Sequence, residues 1–154
     1  MTATRPDTAT TPEEFDLECE TLIIGAGAGG LVAALAAKEA GQSVLVIEAD
    51  PVPKGSTALS AGLIPAAGTK AQSVAQIDDD AALFAADIQA KANEENEQAL
   101  VDRLAQNSGP VVDWLTETFG LPFSVVSNFD YPGHSRRRMH GLPSRSGGEL
   151  IDRL

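Results

Sequence analysis

A short apolar run leads directly into a glycine-rich turn in the stretch Thr21-Leu22-Ile23-Ile24-Gly25-Ala26-Gly27-Ala28-Gly29-Gly30. A second apolar run follows further along the chain, Ser43-Val44-Leu45-Val46-Ile47-Glu48, and it ends in a carboxylate. A strand, a Gly-x-Gly-x-x-Gly turn, a helix and a second strand that ends in an acid are the parts of a dinucleotide-binding βαβ unit. These two stretches therefore predict an α/β fold with a Rossmann-like unit near the beginning of the chain.

The glycines and the acid of this unit have separate physical roles. Gly25 permits the tight turn, Gly27 lets the backbone approach a pyrophosphate, and Gly30 lets the helix pack closely on the strand. The helix that begins in the turn directs its positive end toward the phosphates. Glu48 can accept hydrogen bonds from a ribose diol. The alternative interpretation is a glycine-rich turn on an α/β domain that binds no ligand.

Composition limits the classes of partner and compartment. The chain has 154 residues, a formal net charge of −11 and a single cysteine, Cys19. This length is typical of one domain, and the excess of acids argues against nucleic acid or an anionic membrane as a partner. One cysteine allows neither an intrachain disulfide nor a cysteine-rich metal site, which suits the cytoplasm. We expect no bound metal, and no apolar stretch is long enough for membrane insertion.

Hydrophobic patterning predicts the remaining elements. After the strands at residues 18–24 and 43–48 and the helix at 28–40, residues 49–68 read as a loop. Three helices are predicted at residues 80–92, 97–107 and 110–119, followed by a short strand at 121–126. The residues expected on buried helix faces are Phe84, Ile88, Leu100, Val101, Leu104, Val111, Leu115 and Thr118, with Trp114 and Phe119 beside them.

The organisation of the chain indicates an incomplete fold. Residues 1–16 read as a flexible polar tail, and residues 17–154 as the N-terminal part of a cofactor-binding domain. A doubly wound sheet needs a third strand, and none is evident after Glu48. The stretch from Ser146 to Leu154 reads as the first turns of an amphipathic helix. We therefore expect this chain to belong to a larger fold.

A second informative stretch follows Glu48. It contains Gly55-Ser56-Thr57-Ala58-Leu59-Ser60-Ala61-Gly62 and then Ala66-Ala67-Gly68-Thr69. Its amides and hydroxyls can serve a second phosphate and the edge of an isoalloxazine ring. It resembles the loop of the succinate dehydrogenase and fumarate reductase flavoprotein family. The stretches Asp113-Trp114-Leu115 and Gly133-His134-Ser135-Arg136-Arg137-Arg138-Met139-His140 are similar to that family as well.

The resemblance implies FAD as the cofactor and an incomplete GxGxxG flavoprotein fold that lacks its capping domain and its last FAD-binding segment. In relatives that bind the flavin covalently, a histidine precedes the position of Thr57; Ser56 stands there in this chain, which implies non-covalent FAD. Lys54 stands where many relatives have glycine. The implied cofactor residues are Gly25, Ala26, Gly27, Gly30, Glu48, Ala49, Gly55, Ser56, Thr57, Ser60, Ala61 and Gly62.

The resemblance also implies a substrate and a reaction. The implied substrate residues are His134, Arg138 and His140, because imidazole and guanidinium groups suit carboxylate recognition. The alternative is that the arginines lie on a solvated loop and that the histidines bond to the backbone. The family transfers a hydride between flavin N5 and an activated C–C bond, and its proton donor is an arginine from later in the chain.

Three functions remain open from the sequence. The first is a fumarate reductase-type oxidoreductase that acts on a small carboxylate, with the remainder of the flavoprotein present in cis or as a second chain. Within the same family, an L-aspartate oxidase or a 3-ketosteroid dehydrogenase is the second. The third is a non-catalytic FAD-binding fragment. For the enzyme readings the proton donor is expected beyond residue 154, so the segment alone should be inactive.

Acid precipitation of the purified yellow protein is expected to release FAD into the supernatant, because Ser56 has no imidazole to form a bond with the flavin. The measurement is the visible absorption spectrum of the supernatant and of the redissolved pellet. Flavin that stays with the pellet would contradict non-covalent binding.

Overall fold

The computed structural model describes residues 15–154. The tail predicted for residues 1–16 lies outside this range, except for Phe15 and Asp16. The described chain begins with strand β1 (Thr21–Ile24), helix α1 (Ala28–Glu39) and strand β2 (Val44–Ile47). The two strands are parallel, in a register that places Thr21 beside Val44 and Ile24 beside Ile47. This arrangement confirms the βαβ unit, with both strands shorter than predicted.

The turn between β1 and α1 requires glycine at two positions. Gly25 has a φ of +102°, a backbone conformation that L side chains rarely adopt. A Cβ at Gly30 would lie 2.0 Å from the carbonyl oxygen of Gly25. Because no side chain fits in that gap, α1 can begin directly against the turn only with glycine at this position.

The stretch predicted as a loop contains regular structure. It holds helix α2 (Ser56–Leu59) and strand β3 (Ile64–Pro65). Strand β4 (Ser124–Val125) and strand β5 (Met139–Gly141) complete a three-stranded antiparallel sheet in the order β3-β5-β4. Strands of two or three residues show no alternating apolar pattern, and their partners are distant in sequence, so local patterning could not identify β3 and β5.

Side chains cap the beginnings of the next two helices. Helix α3 (Lys70–Val74), which was not predicted, begins with a capping box: the Thr69 hydroxyl accepts from the backbone of Gln72, and the Gln72 side chain accepts from the backbone of Thr69. Helix α4 (Ala81–Lys91) was predicted, and its cap is Asp80, whose carboxylate accepts from the Leu83 N–H at 2.8 Å.

Helix α5 (Gln98–Phe119) is continuous where two helices were predicted. Pro110 lies inside it on the solvent side, and Gly109 packs against the protein. One buried stripe therefore runs along the whole helix, and it consists of Val101, Ala105, Gly109, Val112 and Leu115. The predicted inward positions of Leu100, Leu104, Val111 and Thr118 are wrong, because these residues are exposed. Leu100, Leu104 and Val111 each lie one position before a buried residue of the stripe, because the packing partners of α5, which are distant in sequence, decide which face is buried.

Two clusters of buried residues form the core, and α5 contributes to both. The first is Ala66, Val112, Leu115, Leu121, Phe123, Leu142 and Leu150, the last of these from helix α6 (Gly147–Arg153). The second is Ala67, Phe84, Ala85, Val101 and Ala105, with Ile88 packed against it. Trp114 and Phe119 pack against the first cluster, as predicted.

A substitution of Gly109 with alanine is expected to destabilise the protein by about 1–3 kcal/mol through overpacking. The reason is that a Cβ there would lie 2.2 Å from the carbonyl oxygen of Ala67. Gly29→Ala is the control, because a Cβ at Gly29 meets no atom of the described chain within 4 Å. Urea unfolding measures both variants, and equal free energies of unfolding would contradict the packing of α5 on Ala67.

Candidate dinucleotide site

The glycine turn lies at the carboxyl ends of both parallel strands. The Gly25 N–H donates to the carbonyl oxygen of Ile47 at 2.7 Å, which ties the turn to the end of β2. Ligands of open α/β sheets bind at this edge, outside the carboxyl ends of the strands. The turn is therefore placed where a dinucleotide would be held.

Glu48 is bonded into the same turn. Its Oε2 accepts from the Ala26 N–H at 2.7 Å, and its Oε1 accepts from the Ala49 N–H at 2.8 Å. Hydrogen bonds from the backbone N–H groups of Ala26 and Asp50 hold the pKa of Glu48 below its ordinary value, so the side chain is an anion at neutral pH. An ionised carboxylate accepts at roughly four lone-pair positions. Glu48 is exposed and retains capacity for a ribose hydroxyl.

Gly27 is a glycine for which the protein itself gives no reason. Its φ of −75° and ψ of 172° are open to any residue. Among the described residues, a Cβ at Gly27 would meet only Thr57 Oγ1, at an ordinary contact distance of 3.6 Å. The bare backbone here leaves room beside the start of α1, where a pyrophosphate would need it. The residues present therefore fit a dinucleotide.

The segment of residues 55–62, which we call the flavin loop, lies against the start of α1. Thr57 Oγ1 accepts from the Ala28 N–H at 3.1 Å, so a hydroxyl from α2 satisfies the first N–H of α1. Ser60 Oγ donates to the carbonyl oxygen of Thr57 at 2.7 Å and accepts from the Gly62 N–H at 3.0 Å. Gly55 is the N-cap residue of α2, and Ser56 and Ala61 are exposed in the same loop.

The structure thus brings together the predicted cofactor residues of the turn, of the end of β2 and of the flavin loop. The patterning did not reveal that α6 packs on this loop. The Gly147 N–H donates to the carbonyl oxygen of Ser60 at 2.9 Å. The sequence signal for this contact is the pair Gly147-Gly148 at the beginning of a helix, where glycine is otherwise a poor choice.

His140 has internal partners for both ring nitrogens. Nε2 lies 2.8 Å from Thr69 Oγ1, and Nδ1 lies 2.8 Å from the carbonyl oxygen of Arg138. The residue is fully buried, and burial lowers its pKa, so the ring is neutral at pH 7. Both ring nitrogens are thus occupied within the described chain, and the predicted role of His140 in substrate binding stays a prediction.

Arg138 is also fully buried. Its Nε and Nη2 donate to the two carboxylate oxygens of Asp79 at 2.8 Å, and its Nη1 donates to Asp87. The guanidinium carbon lies 4.9 Å from the centroid of the Phe84 ring. These contacts connect the beginning and the middle of α4 to the segment that enters β5. Arg138 is thus enclosed by these partners in the described part of the chain, and its predicted role in substrate binding stays a prediction.

His134 borders a cavity. A space of about 300 Å³ lies between α4 and the segment of residues 131–134, and Ile88, Lys91 and Tyr131 also line it. Among the described residues, no group forms a hydrogen bond with His134 Nδ1. Burial and then the charge of Arg138 lower the pKa of His134. The predicted substrate residues are thus not assembled into one site, and a substrate role for His134 stays a prediction.

Residues 15–154 contain no group of three or more His, Cys, Asp or Glu side chains that could hold a metal ion. No helix in this range is long and apolar enough to cross a membrane.

A parallel βαβ unit, a glycine turn at its carboxyl edge and an acid bonded into that turn define a dinucleotide-binding domain. The chain belongs to the FAD binding domain family, which matches residues 20–153. The predictions of FAD as the cofactor and of a fumarate reductase-type flavoprotein fold are thereby confirmed.

Individual relatives agree with this assignment. The chain is 35% identical to a "probable fumarate reductase" of Shewanella frigidimarina (strain NCIMB 400), over 88% of this chain and 23% of that protein. It is similar to an open-conformation structure of a flavocytochrome c3 fumarate reductase, with a TM-score of 0.76 and 32% identity over 88% of this chain and 24% of the other. A 3-ketosteroid-Δ4-(5α)-dehydrogenase of Rhodococcus jostii gives a TM-score of 0.68 and 30% identity, covering 78% and 25%.

The chain therefore spans about a quarter of the length of the relatives that it matches, with 23% of the first and 24% of the second covered. The matched portion contains the glycine turn, the acid at the end of β2 and the flavin loop. The substrates of the complete relatives are therefore not assigned to this chain on the strength of the match.

Replacing Arg138 with methionine is expected to cost about 3–5 kcal/mol, because it leaves the buried carboxylate of Asp79 without its cation. Arg137→Met is the matched control, since Arg137 pairs with Asp130 at the surface and should leave stability near that of the parent. Urea unfolding measures both. An Arg138→Met variant of parental stability with weakened substrate binding would instead support the predicted substrate role.

Proposed function

We propose that this chain supplies the adenine- and pyrophosphate-binding part of a FAD-dependent oxidoreductase of the fumarate reductase type. The observation that carries the proposal is Gly27, a glycine that neither backbone angle nor packing requires, at the start of a helix. Its reason would be the pyrophosphate itself. The non-covalent state of FAD and the roles of individual residues belong to this proposal.

The position of each residue supports one proposed role. The backbone of Gly25, Ala26, Gly27 and Gly30 and the positive end of α1 would hold the pyrophosphate. The carboxylate of Glu48, with the adjoining Ala49, would hold the ribose. Thr57 would contact the second phosphate, a role supported by the position of its hydroxyl beside the Ala28 N–H. The residues proposed to face the diphosphate and the ring edge are Gly55, Ser56, Thr57, Ala61 and Gly62, and Ser60 would hold this loop in shape through its hydrogen bonds to Thr57 and Gly62.

When bound, FAD supplies hydride transfer between flavin N5 and a carbon of an activated C–C bond. The role of the chain is to bind the cofactor and to hold it in one orientation, which is the usual role of the protein in a flavoenzyme. A small carboxylate is the proposed substrate class, because the matched relatives include fumarate reductases. The proton donor is proposed to lie outside these 154 residues.

A 3-ketosteroid dehydrogenase-like activity is the second candidate. It is favoured by the similarity to the Rhodococcus jostii enzyme at 30% identity and a TM-score of 0.68. The described residues contain no assembled substrate site, so they do not decide between the two candidates. A turnover screen that includes fumarate and 3-ketosteroids separates them.

Further polypeptide is proposed to complete the domain, either in cis or as a second chain. Within residues 15–154 the parallel sheet has two strands, and apolar side chains on them are exposed: Leu22 at 52%, Ile24 at 80% and Ile47 at 43%. Burial of apolar surface is worth about 25 cal/mol per Å², so these strands favour a covering partner. The cytoplasm is the proposed compartment.

The test uses the holoprotein, meaning this chain with whatever polypeptide accompanies it, purified through an N-terminal tag from its native host. Gly27→Val should abolish FAD retention, because the side chain would enter the space proposed for the pyrophosphate. Glu48→Gln should weaken retention, since it removes an anionic acceptor of hydrogen bonds. The measurement is the ratio of flavin to protein by visible absorption.

Gly29→Ala is the matched control, because it adds a methyl group to the same turn where the described chain has no atom within 4 Å. It should retain FAD. Urea unfolding of the flavin-free proteins checks that Gly27→Val folds. Unchanged flavin content in Gly27→Val and Glu48→Gln together, or a parent protein without FAD, would overturn the proposed site.

A further inference from the structure

Two backbone contacts join the beginning of α6 to the flavin loop. A Cβ at Gly147 would lie 1.6 Å from the carbonyl oxygen of Thr57 and 2.9 Å from Ser60 Oγ. A Cβ at Gly62 would lie 2.5 Å from the carbonyl oxygen of Ser146. The two segments therefore meet through main-chain atoms, and a single methyl group at either glycine would separate them.

Ser60 connects this contact to the rest of the loop. Its carbonyl oxygen accepts from the Gly147 N–H at 2.9 Å. Its hydroxyl donates to the carbonyl oxygen of Thr57 at 2.7 Å and accepts from the Gly62 N–H at 3.0 Å. One residue thus links α6 to both the helix and the end of the flavin loop.

The two sides of this contact are not equally anchored. On the α6 side, Leu150 is 4% exposed within the first core cluster, and the Ser146 hydroxyl caps the helix by accepting from the Glu149 N–H at 3.1 Å. On the other side, none of the four described residues of α2 is buried, and Leu59 is 85% exposed. When the two are forced apart, α2 is the element that moves.

Movement of α2 would be felt at the pyrophosphate position. Thr57 belongs to α2, its hydroxyl accepts from the Ala28 N–H, and it lies 3.6 Å from the Cβ position of Gly27. We infer that Gly147 and Ser60 are positioning residues for FAD: the beginning of α6 sets the place of the flavin loop relative to the glycine turn. This inference rests on the proposed function, because it concerns how tightly the same site holds its cofactor.

The test compares two neighbouring glycines of α6 in the holoprotein. Gly147→Ala should raise the dissociation constant of FAD by about tenfold or more, since displacing α2 from the glycine turn would cost the equivalent of about one hydrogen bond to a charged group. Gly148→Ala should leave it within about twofold, because the nearest described atom to a Cβ there is Ser146 Oγ at 3.9 Å. Titration of the deflavinated proteins with FAD, followed by flavin fluorescence, measures both constants.

A second measurement separates positioning from mere stability. Bound ligand raises the melting temperature in proportion to the logarithm of its concentration over its dissociation constant. A purely structural role of Gly147 would lower the melting temperatures of the flavin-free and FAD-bound forms alike, leaving the FAD-induced rise unchanged. A positioning role reduces that rise and alters the visible band of the bound flavin.

Ser60→Ala tests the same inference without adding volume, should Gly147→Ala fail to fold. It removes the hydroxyl that links Thr57 and Gly62, and it should weaken FAD binding, whereas Ser60→Thr keeps a hydroxyl and should restore it. Parental FAD affinity in Ser60→Ala and in a folded Gly147→Ala would overturn the inference and leave the proposed function intact. A parent holoprotein without FAD would overturn both.

Discussion

The contact between Gly30 and the carbonyl oxygen of Gly25 is the constraint on which the rest of the site depends. A Cβ at Gly30 would lie 2.0 Å from that oxygen, so α1 reaches the strand only because both segments are bare backbone. This contact fixes the axis of α1 and directs its N-terminus toward the edge where β1 and β2 end. The amide of Ala26 then faces Glu48, and the amide of Ala28 faces Thr57. Three separate stretches of sequence converge on one helix end for that reason.

Local signals were sufficient for the βαβ unit and for α4, and they failed where the deciding contact is distant in sequence. The glycine turn and the acid of Glu48 belong to a contiguous motif, and Asp80 caps its own helix. By contrast, β5 exists because Met139 and His140 pair with Pro65 and Ile64. Likewise, the close packing of Gly109 in α5 against the backbone of Ala67 joins residues distant in sequence, and no local pattern records it.

The histidine and arginine motif shows the same limit for the site. A run rich in cations suggests a surface that binds carboxylates, and the partners of Arg138 are indeed carboxylates, but they are Asp79 and Asp87 of this chain. In extended backbone, residues two apart point to the same face, so Arg138 and His140 turn inward together. Arg137 points the other way and pairs with Asp130 at the surface. The sequence shows that Arg138 and His140 lie on one face of an extended segment, but it does not show that this face is buried.

Helix α5 connects the two core clusters of the described chain, which its two small sheets do not do. Its 22 residues supply Val101 and Ala105 to one cluster and Val112 and Leu115 to the other. If either end of this helix unfolded, one cluster would lose the side chains that the helix contributes to it. The other cluster would then pack against a shorter and less stable helix. The two clusters are therefore expected to unfold together. The segment around His134 and the turn around Gly27 would then lose their structure in the same transition, although most of the chain separates them.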